Sequence, residues 1–79
     1  MQIDEEKMDD AVLAILHLTQ YEDHGTVRSW KTLDWNALER LHTKGFISNP
    51  QPKAKSVVLS EDGARRSKEL FEQLFKKVG

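Results

Sequence analysis

Residues 33–63 read LDWNALERLHTKGFISNPQPKAKSVVLSEDG, and the fold turns on how this stretch is parsed. Asp34 suits a helix N-cap, because its carboxylate can accept from an orphan backbone N–H of the first turn. Leu33 before it and Leu38 inside it can close a hydrophobic staple. Trp35, Leu38 and Leu41 recur every three residues, which keeps them on one face. Gly45 fits the left-handed position that follows a helix, and Lys44 stands beside the negative end of the helix dipole. Phe46 and Ile47 then enter a strand directly. Pro50 and Pro52 limit that strand, since proline has no N–H to give to a ladder. Residues 56–59 read as the returning strand, with Val57 and Leu59 on one side and Val58 on the other. Ser60 caps a further helix. The stretch therefore predicts a helix, a tight stop, a β-hairpin with a basic loop, and a second helix.

Upstream, the pattern predicts a helix from Asp4 to about Tyr21. Asp4 can cap it, Ile3 can staple onto Met8, and Glu5 and Glu6 suit the positive end of the dipole. Met8, Val12, Ile15 and Thr19 make one face, while Leu13 and Leu16 begin a second. A helix apolar on most sides is buried on most sides. Two readings follow. Leu13 and Leu16, with Trp30, form a self-association interface, or the C-terminal helix and the Trp30 region cover both faces within one chain. Residues 21–32 form a connector with a turn at His24-Gly25. Residues 27–30 are either a short strand pairing with the hairpin or irregular. Residues 60–78 form the last helix, with an apolar stripe of Leu70, Phe71, Leu74, Phe75 and Val78. Gly63, in its first turn, costs a helix about 1 kcal/mol. Its expected role is to let the helix start pass close to another backbone.

The 79 residues make one domain with a modest core. Without cysteine there is neither a disulfide nor a thiolate metal site. No apolar run approaches the ~20 residues of a membrane span, and the N-terminus is acidic, unlike a signal peptide. A cytoplasmic protein without membrane contact is the expectation. The formal net charge is −1, but the charges are segregated. Residues 1–25 carry seven acids and one base, whereas residues 26–79 carry eleven bases and six acids. Such a split arises from one amphoteric surface or from head-to-tail pairing of chains.

The run LERLHTKGFI, then the hairpin, then VVLSEDGARRSKEL resembles the L-x-x-L-x-x-K-G-[LF]-I … L-[TS]-x-x-G pattern of bacterial winged-helix regulators. The expected fold class is therefore α+β and winged-helix-like. It has three main helices and a hairpin wing in the C-terminal half, with the short second helix missing or degenerate. The whole chain is also similar to a family of short bacterial proteins of unknown function. That family opens with a stretch like IDEEKMDDAVLAIL, continues through W-K-x-x-D-W-x-A-L-x-R-L-H-x-K-G, and ends K-A-K-S-V-V-L-(S/T)-E-x-G. The resemblance implies a fold family and a bacterial source, and it carries no activity with it.

Catalysis finds little support. His17, His24 and His42 lack ligand spacing, and the acid pairs Glu5-Glu6 and Asp9-Asp10 point different ways on a helix. The four glycines are spread singly, so there is no phosphate loop. No enzyme, metal or cofactor is expected. Two functions remain. As a homodimeric transcription regulator binding double-stranded DNA, the chain would set Asn36 and Arg40 of the 34–44 helix against base edges. Arg28, Lys31, Lys53 and Lys55 would hold phosphates. Glu39 on the same face repels phosphates. As a protein-interaction or dimerisation module, it would use Leu13, Leu16 and Trp30, with Trp35 assigned to the core.

Overall fold

The computed structural model describes residues 1–30, 34–50 and 55–77. Among them the chain is α+β, with three helices and a three-stranded antiparallel sheet. The first helix, α1, spans Glu5–Leu18. It is capped as expected: the Asp4 carboxylate accepts from Lys7 N–H at 3.2 Å. It ends three residues before the predicted limit because Gln20 and Tyr21 already belong to a strand.

That strand, β1 (Gln20–Asp23), pairs with β2 (Thr26–Trp30) across the His24-Gly25 turn. Both turn residues have positive φ, 52° and 79°. This is the two-residue loop whose twist matches a hairpin. The 21–32 connector is thus mostly sheet. Tyr21, Val27 and Trp30 are strand formers, and a glycine-containing turn between them favours doubling back over a second helix.

The second helix, α2, covers Trp35–Thr43. Asp34 caps it, accepting from Ala37 N–H at 3.1 Å. It stops at Lys44 and at Gly45, whose φ is 82°. The chain then reverses as predicted, though with fewer rungs. Ile47 forms a single bridge with Leu59, and Ser48 N–H donates to Val58 carbonyl oxygen at 2.8 Å. The third strand, β3 (Ser56–Val58), is bonded mainly to β2, in the register Arg28↔Val58, Ser29↔Val57 and Trp30↔Ser56. The sheet order is β1-β2-β3. The last helix, α3, runs Glu61–Phe75. It stops short of the predicted end, with Lys76 already extended, and Val78 lies outside the described residues.

The core sits between the sheet and the three helices. Leu13 and Leu16 of α1, Leu38 and Leu41 of α2, Ile47, Val57, Leu59, and Leu70 of α3 are all buried. Buried Ser29 is satisfied twice: it donates to Leu16 carbonyl oxygen at 2.8 Å and shares a bond with the Thr19 hydroxyl at 2.6 Å. These bonds pin the end of α1 to the middle strand.

Where α2 ends, α3 begins. The Ser60 hydroxyl donates to Gly45 carbonyl oxygen at 2.7 Å, Ser60 N–H donates to Phe46 carbonyl oxygen at 3.0 Å, and Gly63 N–H donates to the Ser60 hydroxyl at 2.9 Å. Gly63 is buried directly against the Phe46 backbone, the close approach its position suggested.

Candidate functional site

The α2 surface was the expected reading face, so its charges decide what it can do. Arg40 is turned inward. Its Nε donates to both carboxylate oxygens of Asp9, at 2.9 and 3.0 Å, and its Nη1 reaches Glu5 at 2.9 Å. Lys44, one turn on, adds a 3.0 Å pair to Asp9 Oδ2. Asp9 is 1% exposed. A buried carboxylate on α1 thus clamps two cations of α2, and the spacing Arg40–Lys44 lets both converge on it. Burial works to raise the Asp9 pKa, but the bonds and charges of Arg40 and Lys44 outweigh it and hold the carboxyl below its ordinary value. The bond with Asp9 likewise raises the Arg40 guanidinium above its own.

Of the other residues assigned to DNA, Asn36 and Lys55 are exposed. Asn36 lines an open depression with Ile3, Met8 and Arg40. Arg28 is half-buried, and its Nε donates to the Ser56 hydroxyl at 3.2 Å. Lys31 and Lys53 lie outside the described residues. Arg40 is therefore not brought together with Lys55 and Arg28 as a free cation. The outer side of α2 instead carries Trp35, Asn36, Glu39 and Thr43, with the Trp35 indole N–H donating to the Glu39 carboxylate at 2.7 Å. Trp35 is exposed rather than in the core, because the helix turns Ala37, Leu38 and Leu41 inward.

The interface assignments also need correcting. Leu13 and Leu16 are 1% and 0% exposed within a single chain, since they belong to the core that α1 shares with α3 and the sheet. They have no surface to offer a partner. Trp30 is 49% exposed and packs in a tilted arrangement against Tyr21, with 5.7 Å between ring centroids. With Leu18 it lines a shallow open depression of about 600 Å³. The apolar side of α1 that remains accessible is the other one, where Met8, Ala11, Val12 and Ile15 border a wholly apolar groove of about 170 Å³. Periodicity marks both faces as apolar. The face to be covered depends on where α3 packs, which no local signal carries.

A domain of unknown function, DUF6429, matches residues 4–77. The chain belongs to the DUF6429 family. An uncharacterized protein of Sinorhizobium fredii, y4hR, is 51% identical over 75 residues, covering 95% of this chain and 97% of that protein. Its bacterial source agrees with the resemblance seen in the sequence. No solved structure matches the chain. In this DUF6429 chain no helix among the described residues is long and apolar enough to cross a membrane. Among the same residues no cluster of three histidines or carboxylates could hold a metal ion.

Among the described residues of this DUF6429 chain, one buried side-chain atom is unsatisfied. His17 Nδ1 is buried without a hydrogen-bond partner, its ring lying 5.2 Å from that of Phe71. Removing a buried orphan acceptor or donor while keeping its volume is favourable. Replacing His17→Leu should stabilise the fold by about 1 kcal/mol. A urea titration checks this, and a lower midpoint would show that His17 has a partner that matters.

Proposed function

We propose that this is a winged-helix-like domain that works as a protein-interaction module, its partner a second copy of the chain, rather than as a reader of DNA. The winged-helix likeness is supported by the order of α1, β2, α2, the Ile47–Leu59 reversal and α3, and by the pairing of β3 with β2. The observation that carries the functional reading is the contrast between Arg40 and the apolar surface. The one arginine of α2 is spent on Asp9 and Glu5, while Leu18 and Trp30 stand 65% and 49% exposed. A helix that inserts into a major groove needs free donors on its outer face, and Glu39 there opposes phosphate. Large apolar side chains gathered on the surface of a small domain favour contact with protein.

The test joins two measurements. Sedimentation equilibrium of the full chain across micromolar to submillimolar concentration should give a reversible dimer. Fluorescence anisotropy with a labelled duplex at low salt should give no saturable binding below about 100 µM, and the Lys55→Glu variant should behave identically. Saturable binding that falls steeply with salt and is lost in Lys55→Glu would return the chain to the DNA-binding reading.

A further inference from the structure

The geometry points to an antiparallel, two-fold contact in which the outer stripe of α1, Met8–Ala11–Ile15–Leu18, packs on the same stripe of a second copy. This rests on the self-association proposed above and specifies its surface and orientation. The four residues are spaced by three, four and three, so they form a straight seam along one side of the helix. They are half-buried or exposed, whereas Asp9, Leu13 and Leu16 face the core. The seam does not end with the helix. Met8 shares a depression with Ile3 at one end, borders the apolar groove along the middle, and at the other end Leu18 opens onto Tyr21 and Trp30. Ile3, Leu18 and Trp30, at 59, 65 and 49% exposure, border the depressions at the two ends.

A second copy fits this line because the seam is its own complement when reversed. With the two-fold axis at the level of residue 13, Met8 meets Leu18 of the partner subunit and the small Ala11 receives Ile15 of the partner subunit. Each large side chain then faces a gap or a flexible methionine rather than its own image. At about 1.5 Å per residue the seam is ~15 Å long. Alone it falls short of the roughly 800 Å² per partner of a standard stable interface. Reversal adds area at both ends, bringing Ile3 over the Leu18–Trp30 depression of the other copy twice. Charge selects the same orientation. Glu6 and Asp10 sit in the first half of α1 with Lys7 between them, and Glu5 beside them is paired with Arg40. A parallel pair would bring the two acidic ends together, while an antiparallel pair separates them and opposes the helix dipoles favourably.

Sedimentation equilibrium of the wild type and two variants tests the surface. Leu18→Lys changes a side chain already in water and leaves the fold intact, and Ile15→Glu, checked by circular dichroism, strikes the centre of the seam. Both should raise the dimer dissociation constant more than about tenfold. Orientation is read from single-cysteine variants, clean in a chain without cysteine. A mixture of Met8→Cys and Leu18→Cys should form the mixed disulfide dimer in preference to either like pair. A wild type that stays monomeric to about 200 µM removes self-association altogether, and this contact with it. A dimer that withstands Leu18→Lys and Ile15→Glu keeps self-association but overturns the seam, and dominance of the like-pair disulfides overturns the antiparallel arrangement.

Discussion

Replacing Gly63→Ala should destabilise the protein by about 3 kcal/mol, the reverse of what its helical position suggests. Inside a helix, exchanging glycine for alanine ordinarily gains about 1 kcal/mol. Here a Cβ would overlap the carbonyl oxygen of Phe46 and stand 2.8 Å from its carbonyl carbon. Both are backbone atoms, held by the Ser60 N–H bond to Phe46 and the Ser60 hydroxyl bond to Gly45. Neither can yield as a side-chain tip would. The helix start must lift away from the turn, which loosens both bonds and the packing of Ile47 and Leu59 behind them. For a domain of this length total stability is roughly 4–12 kcal/mol, so the loss is a large part of it. Thermal unfolding should show a fall of more than about 10 °C in Tm. Gly45 supplies the control. Unlike Gly63 it has positive φ, but a Cβ there meets nothing within 4 Å, so Gly45→Ala should cost only about 1 kcal/mol of backbone strain. Equal effects at the two positions would mean that α3 does not cross the turn so closely.

Asp9→Asn should be the other severe substitution, costing about 2–4 kcal/mol. Removing one side of a buried ion pair leaves its partners with desolvated charge. The cost is moderated because Arg40 and Lys44 keep 28% and 38% of their side-chain surface in water. The effect has a pH signature. The folded Asp9 carboxyl is held below its ordinary value, so the unfolded chain takes up the proton first as pH falls. Its stabilisation is therefore complete above the ordinary aspartate pKa of about 3.9 and is lost as pH drops from there through the lower folded value. Urea unfolding of wild type and Asp9→Asn should show a constant gap from pH 5 to 7 that closes below about pH 4. A gap that persists unchanged into strong acid would show that the carboxylate's charge is not what holds α2 to α1.

These two positions also show how unevenly the sequence speaks. Gly63 could be read in advance, because a glycine in the first turn of an amphipathic helix invites a steric explanation. Asp9 could not. Its neighbour Asp10 has the same chemistry, and nothing local says that one of them is buried under Arg40 and Lys44, 31 and 35 residues away. The same blindness sent Arg40 to a nucleic-acid surface, since a helix residue's partner depends on the rotation of the helix against its neighbours. The β1–β2 hairpin lay between the two cases. Its turn at His24-Gly25 was visible, but residues 20–23 carry Glu22 and Asp23, weak strand formers that the β2 ladder draws into the sheet.

The amino-acid sequence alone determined where the helices start and where α2 stops, the reversals at His24-Gly25 and Gly45, the close crossing at Gly63 and membership in a bacterial family. All of these follow from interactions between residues a few positions apart, or from the backbone limits of a single residue type. Only the tertiary structure decided which side of α1 lies under α3 and which stays open, that Arg40 serves Asp9, and that Trp35 faces water. Those outcomes depend on contacts between segments distant in the chain, where two apolar faces of similar strength compete and packing geometry selects one of them.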